Sequence, residues 1–174
     1  MKTQIEFIKG EITKIKTEAV VNFIMPVFID RNTLTGLFYK TAGQELINDL
    51  DGWECKTGDI KLTKGYKLPA KYILHAVTPV WLNGKHNEDF FLASCYRQCL
   101  FLAVKHKIKT LAFPSLIIDE AAFSVEIAAL IALRTIKEFL KENPKSFEKI
   151  IFVLTSDNEV QSYQNRFKMF NYLK

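Results

Sequence analysis

Short runs of β-branched and aromatic residues alternate along this chain with longer segments whose apolar side chains recur every three or four positions, a pattern that few architectures accommodate. Residues 3–9 alternate between apolar and polar as a half-buried strand does, and 19–23 (AVVNF) form the continuous apolar run of an interior strand. Residues 34–50 place Leu34, Leu37, Phe38, Leu46, Ile47 and Leu50 at helical spacing, which predicts a first helix. Strands are expected at 59–64 and 71–77, with a turn at Gly65 and Pro69 between them. A long helix should run from Asn87 to His106, with Glu88 and Asp89 in its first turn, where carboxylates complement the positive end of the helix dipole. A strand at 109–113, stopped by Pro114, precedes a helix over 124–142 that Ser124 caps and that is apolar on almost every side. The strand 149–154 (KIIFVL) then leads to an amphipathic helix from Asp157. Strands and helices in this order build a mostly parallel sheet covered on both faces, so the expected fold is an α/β/α sandwich.

At 174 residues the chain can bury about 70% of the surface its unfolded form exposes, and no repeat, low-complexity tract or Pro/Gly/Ser-rich linker divides it. One domain over 1–174 is the expectation. Apolar residues make up 48% and charged residues 25%, the balance of an ordinary globular protein. The net charge of +5 permits an anionic partner, but the lysines are dispersed and no basic run marks a nucleic-acid tail. No apolar run approaches the roughly 18 residues that span a bilayer, so no membrane partner is expected. Cys55, Cys95 and Cys99 make an odd count, and Met1-Lys2-Thr3-Gln4 leads directly into a strand pattern, which together favour a reducing, cytoplasmic setting.

Glycine placement excludes more than composition does. All seven glycines lie between Gly10 and Gly84, none are spaced G-x-G, and no pair five apart precedes a lysine. The dinucleotide fingerprint and the phosphate-binding loop of nucleoside triphosphatases are therefore absent. A serine nucleophile elbow and an H-E-x-x-H zinc pair are missing too. Neither a cofactor nor a metal site follows from the sequence.

In open sheets, ligands sit beyond the carboxyl ends of the strands, which directs attention to residues 23–33, after AVVN, and 114–123, after KTLAF. The segments KGEIT (9–13), EAVVN (18–22), TAGQEL (41–46), CKTGDIKLTKGYKLPAKYILHAVTPVW (55–81), ASCYRQCL (93–100) and KTLAFPSL (109–116) resemble the macro domain family. The likeness spans nearly the whole chain, and Cys55 to Trp81 is its most specific stretch. It implies a three-layer α/β/α fold with a central mixed, mostly parallel sheet, and a module that binds ADP-ribose or, in some members, hydrolyses ADP-ribosyl bonds. Function must still be argued at the site.

The two loops depart from the family pattern. Hydrolytic members carry Asn-Ala-Ala-Asn, a glycine run and Val-Asp-Gly; laid on without gaps from Asn22 to Gly43, this puts Met25 at the second asparagine and Thr35 at the aspartate. By the resemblance, those two residues orient the distal ribose and its attacking water, and both are gone. Asp30, Arg31, Asn32 and Thr33 fall on the glycine run, and Gly36 keeps the last glycine. In the second loop, Ser-Thr-Gly-Val-Tyr-Gly-Phe falls on residues 117–123, and Phe123 alone survives. Glycine matters there because backbone N–H groups must approach phosphate oxygens without a side chain in the way. Asp119, with Glu120 beside it, sets a negative charge where a pyrophosphate would lie; at ~6 Å and an effective dielectric of ~20, like charges repel by roughly 3 kcal/mol.

The ligand-binding candidates that the resemblance leaves are Glu11, Ile12, Asn22, Arg31, Thr33, Leu34, Gly36 and Phe123; no catalytic residue is assigned. Glu11 and Ile12 stand where the family's Asp-Ile pair reads the adenine, against the alternative of a solvated acid at a strand end. Asn22 stands at the ribose pocket, against an asparagine that serves its own loop backbone. Cys95 and Cys99 read as buried, inert thiols rather than metal ligands, His75 as a satisfied core histidine, and His86 and His106 as lacking acidic neighbours. Lys105, Lys107 and Lys109 read as a solvated face rather than an RNA contact. Residues 23–29, seven apolar positions in a row, either fill the cleft or meet a protein partner or a second copy. Three readings follow, in order: a divergent module that binds ADP-ribose or a related nucleotide weakly, a scaffold that uses its apolar loop, and an active hydrolase.

Overall fold

The computed structural model describes residues 2–24, 34–116 and 124–172, the side chains of 171 and 172 excepted. Its strands are β1 (Gln4–Lys9), β2 (Ala19–Ile24), β3 (Ile60–Lys64), β4 (Tyr72–Val77), β5 (Thr110–Pro114) and β6 (Lys149–Leu154). Its helices are α1 (Leu34–Ala42), α2 (Gln44–Leu50), α3 (Glu88–Lys105), α4 (Val125–Glu142) and α5 (Asp157–Tyr172), with a 3₁₀ turn at Ile12–Lys14. The sheet order is β1-β6-β5-β2-β4-β3. Every pair in it is parallel except β3 with β4, so the sheet is mixed and mostly parallel, as expected.

Side-chain alternation along the inner strands divides the apolar residues between two layers. Val21 and Phe23 of β2 point to the face packed by α3, α4 and α5, together with Phe113, Phe152 and Tyr163. Val20 points to the opposite face, where Phe38 of α1 and Leu46 of α2 meet Ile12 and Ile73. All six residues of β2 are buried, which is why its sequence reads as continuous apolar rather than alternating.

Three sequence expectations change. The first helix is two helices: Gly43 takes φ +99° and ψ −178°, a conformation in effect closed to residues with a Cβ, and the chain turns between α1 and α2 there. The helix α4 is amphipathic, not apolar all round, with Glu126, Leu130, Arg134, Lys137, Glu138 and Lys141 exposed along one side. Pro114 belongs to β5 rather than stopping it. The Ser124 cap is present, its hydroxyl accepting from the Ile127 N–H at 3.3 Å.

Candidate functional site

The ladder between β2 and β5 is confined to their amino ends, where Ala19 faces Leu111 and Val20 faces Ala112, although the rings of Phe23 and Phe113 still stack at 6.3 Å. Beyond that, β2 follows β4 to Ile24 and Val77, while β5 follows β6 to Pro114 and Val153. The carboxyl ends of β2 and β5 therefore part, and the gap between them has Ile24 on one lip and Pro114 on the other. On the α3–α5 face this end of the sheet has an aromatic floor: Phe23 lies 5.3 Å from Tyr96, and Phe113 lies 5.0 Å from Tyr96 and 5.9 Å from Phe152.

Glu11 lies just after β1 and opens the 3₁₀ turn whose Ile12 is buried against α1. Its carboxylate is already engaged. Thr13 Oγ1 donates to Oε1 at 2.7 Å, and Lys14 Nζ lies 3.0 Å from Oε2. The Thr13 hydrogen bond first, and Lys14 next, hold its pKa below the ordinary range. The side chain remains 36% exposed, so further lone pairs face outward. Both sequence readings of Glu11 keep a physical basis.

Asn22 is fully buried, and the loop backbone it could serve, 25–33, lies outside the described residues. Its Nδ2 lies 3.2 Å from His75 Nδ1, and His75 Nε2 lies 3.0 Å from Thr63 Oγ1, which donates to the Lys64 carbonyl at 3.0 Å. With the amide as donor, Nδ1 accepts and Nε2 carries the hydrogen, so the donors run in one direction from β2 across β4 to β3. Burial, reinforced by Lys61, lowers the His75 pKa to about 3. His75 is thus a satisfied, neutral core histidine. Asn22 Oδ1 has no hydrogen-bond partner among the described residues.

At the start of α1, Leu34 packs on both core layers, while Thr35 and Gly36 are buried, Thr35 at 3% exposure. Phe23 and Ile24, the first two of the apolar run 23–29, belong to β2 and are each 4% exposed. Residues 25–29, Arg31, Thr33, Asp119, Glu120 and Phe123 lie outside the described residues. The structure thus brings Asn22, Leu34, Thr35 and Gly36 to one lip of the gap and leaves the second lip described only as far as Leu116.

Two buried carboxylates shape this end of the molecule: Glu159, which sequence reasoning passed over, and Glu88, which it read only as complementing the helix dipole. Glu159 is 3% exposed; it accepts from Ser115 Oγ at 2.7 Å, Thr155 N at 2.6 Å and Thr155 Oγ1 at 3.0 Å, which ties the end of β5 to the start of α5. Its signal was legible, since Ser156-Asp157-Asn158-Glu159 is a capping box, and Glu159 N donates to Ser156 Oγ at 3.2 Å. Glu88 is 2% exposed. Its Oε1 accepts from the N–H groups of Leu82, Asn83 and Gly84 at 3.1–3.2 Å, and Oε2 accepts from His86 N at 2.7 Å. Burial opposes its ionisation, but these backbone donors prevail and hold the pKa down at about 2. His86 also has an acidic neighbour after all, its Nδ1 lying 3.8 Å from Glu88 Oε1.

Cys95 and Cys99 are buried; Cys95 Sγ donates to the Val77 carbonyl at 3.3 Å, and burial raises its pKa to about 12 and that of Cys99 well up. Neither is a nucleophile in that state. No group of three metal-ligating side chains occurs among the described residues.

The sequence matches the macro domain family model over residues 21–132. A macro domain-containing protein of Chlorobaculum tepidum is 40% identical over 163 residues, which cover 92% of this chain and 93% of that protein. The human ADP-ribose glycohydrolase MACROD2 is 35% identical over 173 residues, covering 96% of this chain and 40% of that protein. The structure of the Oceanobacillus iheyensis macrodomain with ADP aligns at a TM-score of 0.85 and 30% identity, covering 99% of this chain and 94% of that one.

Proposed function

The chain belongs to the macro domain family, and from that premise we propose that it is a nucleotide-recognition module of the ADP-ribose type that lacks hydrolytic chemistry. In support of this reading, β2 and β5 part toward their carboxyl ends, Glu11 and Ile12 follow β1, and Asn22 lies buried within β2. The observation that carries the loss of chemistry is the start of α1. There, residue 35 is a threonine with 3% exposure where the hydrolytic pattern has aspartate, and Met25 replaces the asparagine that partners it. Water activation at an anomeric carbon needs a polar group within hydrogen-bond reach, and a thioether offers no amide to hold that water. Asp119 and Glu120 further oppose a diphosphate, so the affinity should be modest.

Calorimetric titration with ADP-ribose at modest salt tests this. Saturation at a Kd below ~100 μM, with no ADP-ribose released from an ADP-ribosylated protein, is the expected result. Asp119→Gly combined with Glu120→Ala should tighten binding, by up to about a hundredfold if the full repulsion applies. A flat trace at millimolar ligand overturns recognition, and release of ADP-ribose by the unmodified chain overturns the loss of chemistry.

A further inference from the structure

At the amino-terminal end of the strands, opposite the parted lips, α4 and α5 close with β1 over a cavity of about 430 Å³. That volume falls within the roughly 300–1,000 Å³ typical of small-molecule sites. Its walls are apolar: Ile5 of β1, Leu133, Ile136 and Leu140 of α4, and Phe167 and Phe170 of α5. Its polar rim is dominated by lysine, with Lys2, Lys137, Lys141 and Lys145 all lining it and no carboxylate among the described lining residues.

Among the described residues the nearby acids form no ion pair with these lysines; Glu148, which shares an adjoining hollow with Lys2 and Lys145, stays beyond ion-pair distance of both. On α4, Glu138 pairs with Arg134 at 3.0 Å and Glu142 pairs with Arg97. Lys137 is partly committed, donating to the Phe170 carbonyl at 2.7 Å and lying 5.4 Å from the centre of that ring. Lys2, Lys141 and Lys145 form no ion pair among the described residues. An apolar hollow ringed by uncompensated cations complements a ligand with a hydrocarbon body and one acidic head: the body leaves water, and the head relieves the mutual repulsion of the lysines.

We propose that this cavity binds a long-chain carboxylate, with its chain against Ile136, Leu140 and Phe167 and its head at Lys141 and Lys145. The site is remote from the parted strands and stands whether or not a nucleotide binds there.

Dodecanoate, kept below its micellar range and titrated into the full chain, tests the proposal by methyl NMR. Saturable shifts should centre on Ile5, Leu133, Ile136 and Leu140 and persist when ADP-ribose is added. Methyl dodecanoate, which lacks the charge, should bind at least tenfold more weakly, and so should dodecanoate to the Lys141→Gln/Lys145→Gln double-lysine variant, both of whose positions are exposed. Leu133→Trp should fill the hollow and abolish the shifts. Equal binding of acid and ester, or undiminished affinity in the double-lysine variant, overturns the proposal. Binding that appears only after the last two residues are removed assigns the hollow to the chain's own end and overturns it as well. Co-sedimentation with phosphatidylglycerol vesicles without saturable dodecanoate shifts overturns it in favour of a membrane surface.

Discussion

His75 and Glu88 are both buried in the protonation state that folding requires, and both couple stability to pH in the same direction but over different ranges. His75 has a pKa of about 3 against an ordinary 6.5, so below pH 6.5 the unfolded chain takes up a proton that the native ring refuses. The stability that depends on the neutral ring is complete above pH 6.5 and erodes as pH falls toward 3, at about 1.4 kcal/mol per pH unit. Glu88, at about 2 against 4.5, contributes stability that is complete above pH 4.5 and is lost as pH falls through 2. Urea denaturation between pH 7 and pH 3 should therefore show a decline that starts near pH 6.5 and steepens below 4.5. His75→Gln, which keeps an acceptor for Asn22 and a donor for Thr63, should flatten the upper part alone; Glu88→Gln should lower stability throughout and flatten only the lower part. An upper slope that survives in His75→Gln would remove His75 as its source. At this scale the sequence was legible where a residue's neighbours in space are also its neighbours in sequence, as with the Ser124 cap on Ile127 N. It was not legible for Asn22, whose partner His75 is 53 positions away on the adjacent strand, and a lone asparagine carries no mark of that pairing.

Among the elements, the β3–β4 hairpin depends on the closest backbone approach. Gly65 N donates to the Lys71 carbonyl at 2.7 Å, and a Cβ at Gly65 would lie 1.8 Å from the Ala70 carbonyl oxygen. Backbone cannot swing aside as a flexible side chain can, so Gly65→Ala must distort the hairpin or its pairing with β2. Gly52, with φ +69° and open space around its would-be Cβ, carries only the conformational penalty, about 1 kcal/mol on substitution by alanine. Denaturant midpoints should rank Gly65→Ala well below Gly52→Ala, by about 2 kcal/mol or more; equal midpoints would mean that the turn has slack to absorb a methyl group. Helices and strands were legible because their periodicities are local. The break between α1 and α2 was not, because Leu34 to Leu50 keeps a helical apolar spacing through Gly43, and one glycine inside such a pattern does not announce that its φ is positive. The apolar appearance of α4 misled for a related reason: Leu130 is apolar but stands on the exposed side, and only the packing of α4 between α3 and α5 reveals which stripe is covered. The parting of β2 and β5 left no trace in either strand's own sequence, since it is a property of the pair.

For the molecule as a whole, the two core layers share one sheet, and this determines how the protein should come apart. Val20 and Val21 are consecutive residues that face opposite layers, as are Ile73 and Leu74 on β4 and Ala112 and Phe113 on β5. A strand cannot lose its partners on one face and remain fixed for the other, so the two layers should melt as one cooperative unit. The two tryptophans report on them separately. Trp53 packs on the α1–α2 layer, 6.5 Å from the His75 ring and 5.9 Å from Lys61 Nζ, whereas Trp81 packs on the α3–α5 layer. Urea transitions followed by fluorescence in Trp53→Phe, which leaves Trp81, and in Trp81→Phe, which leaves Trp53, should each coincide with that variant's own far-UV circular dichroism transition. Phe38→Ala removes a fully buried ring from the smaller layer at a cost of about 3–5 kcal/mol, and it should lower the Trp81 midpoint as much as the Trp53 midpoint. If Phe38→Ala moved the Trp53 signal alone, α1 and α2 would form a subdomain that opens while the sheet and α3–α5 stay folded. The start of α1, which forms one lip of the cleft, would then be free to adapt to a ligand without disturbing the rest. Coincident midpoints instead place the start of α1 in the same cooperative unit as the core beneath it.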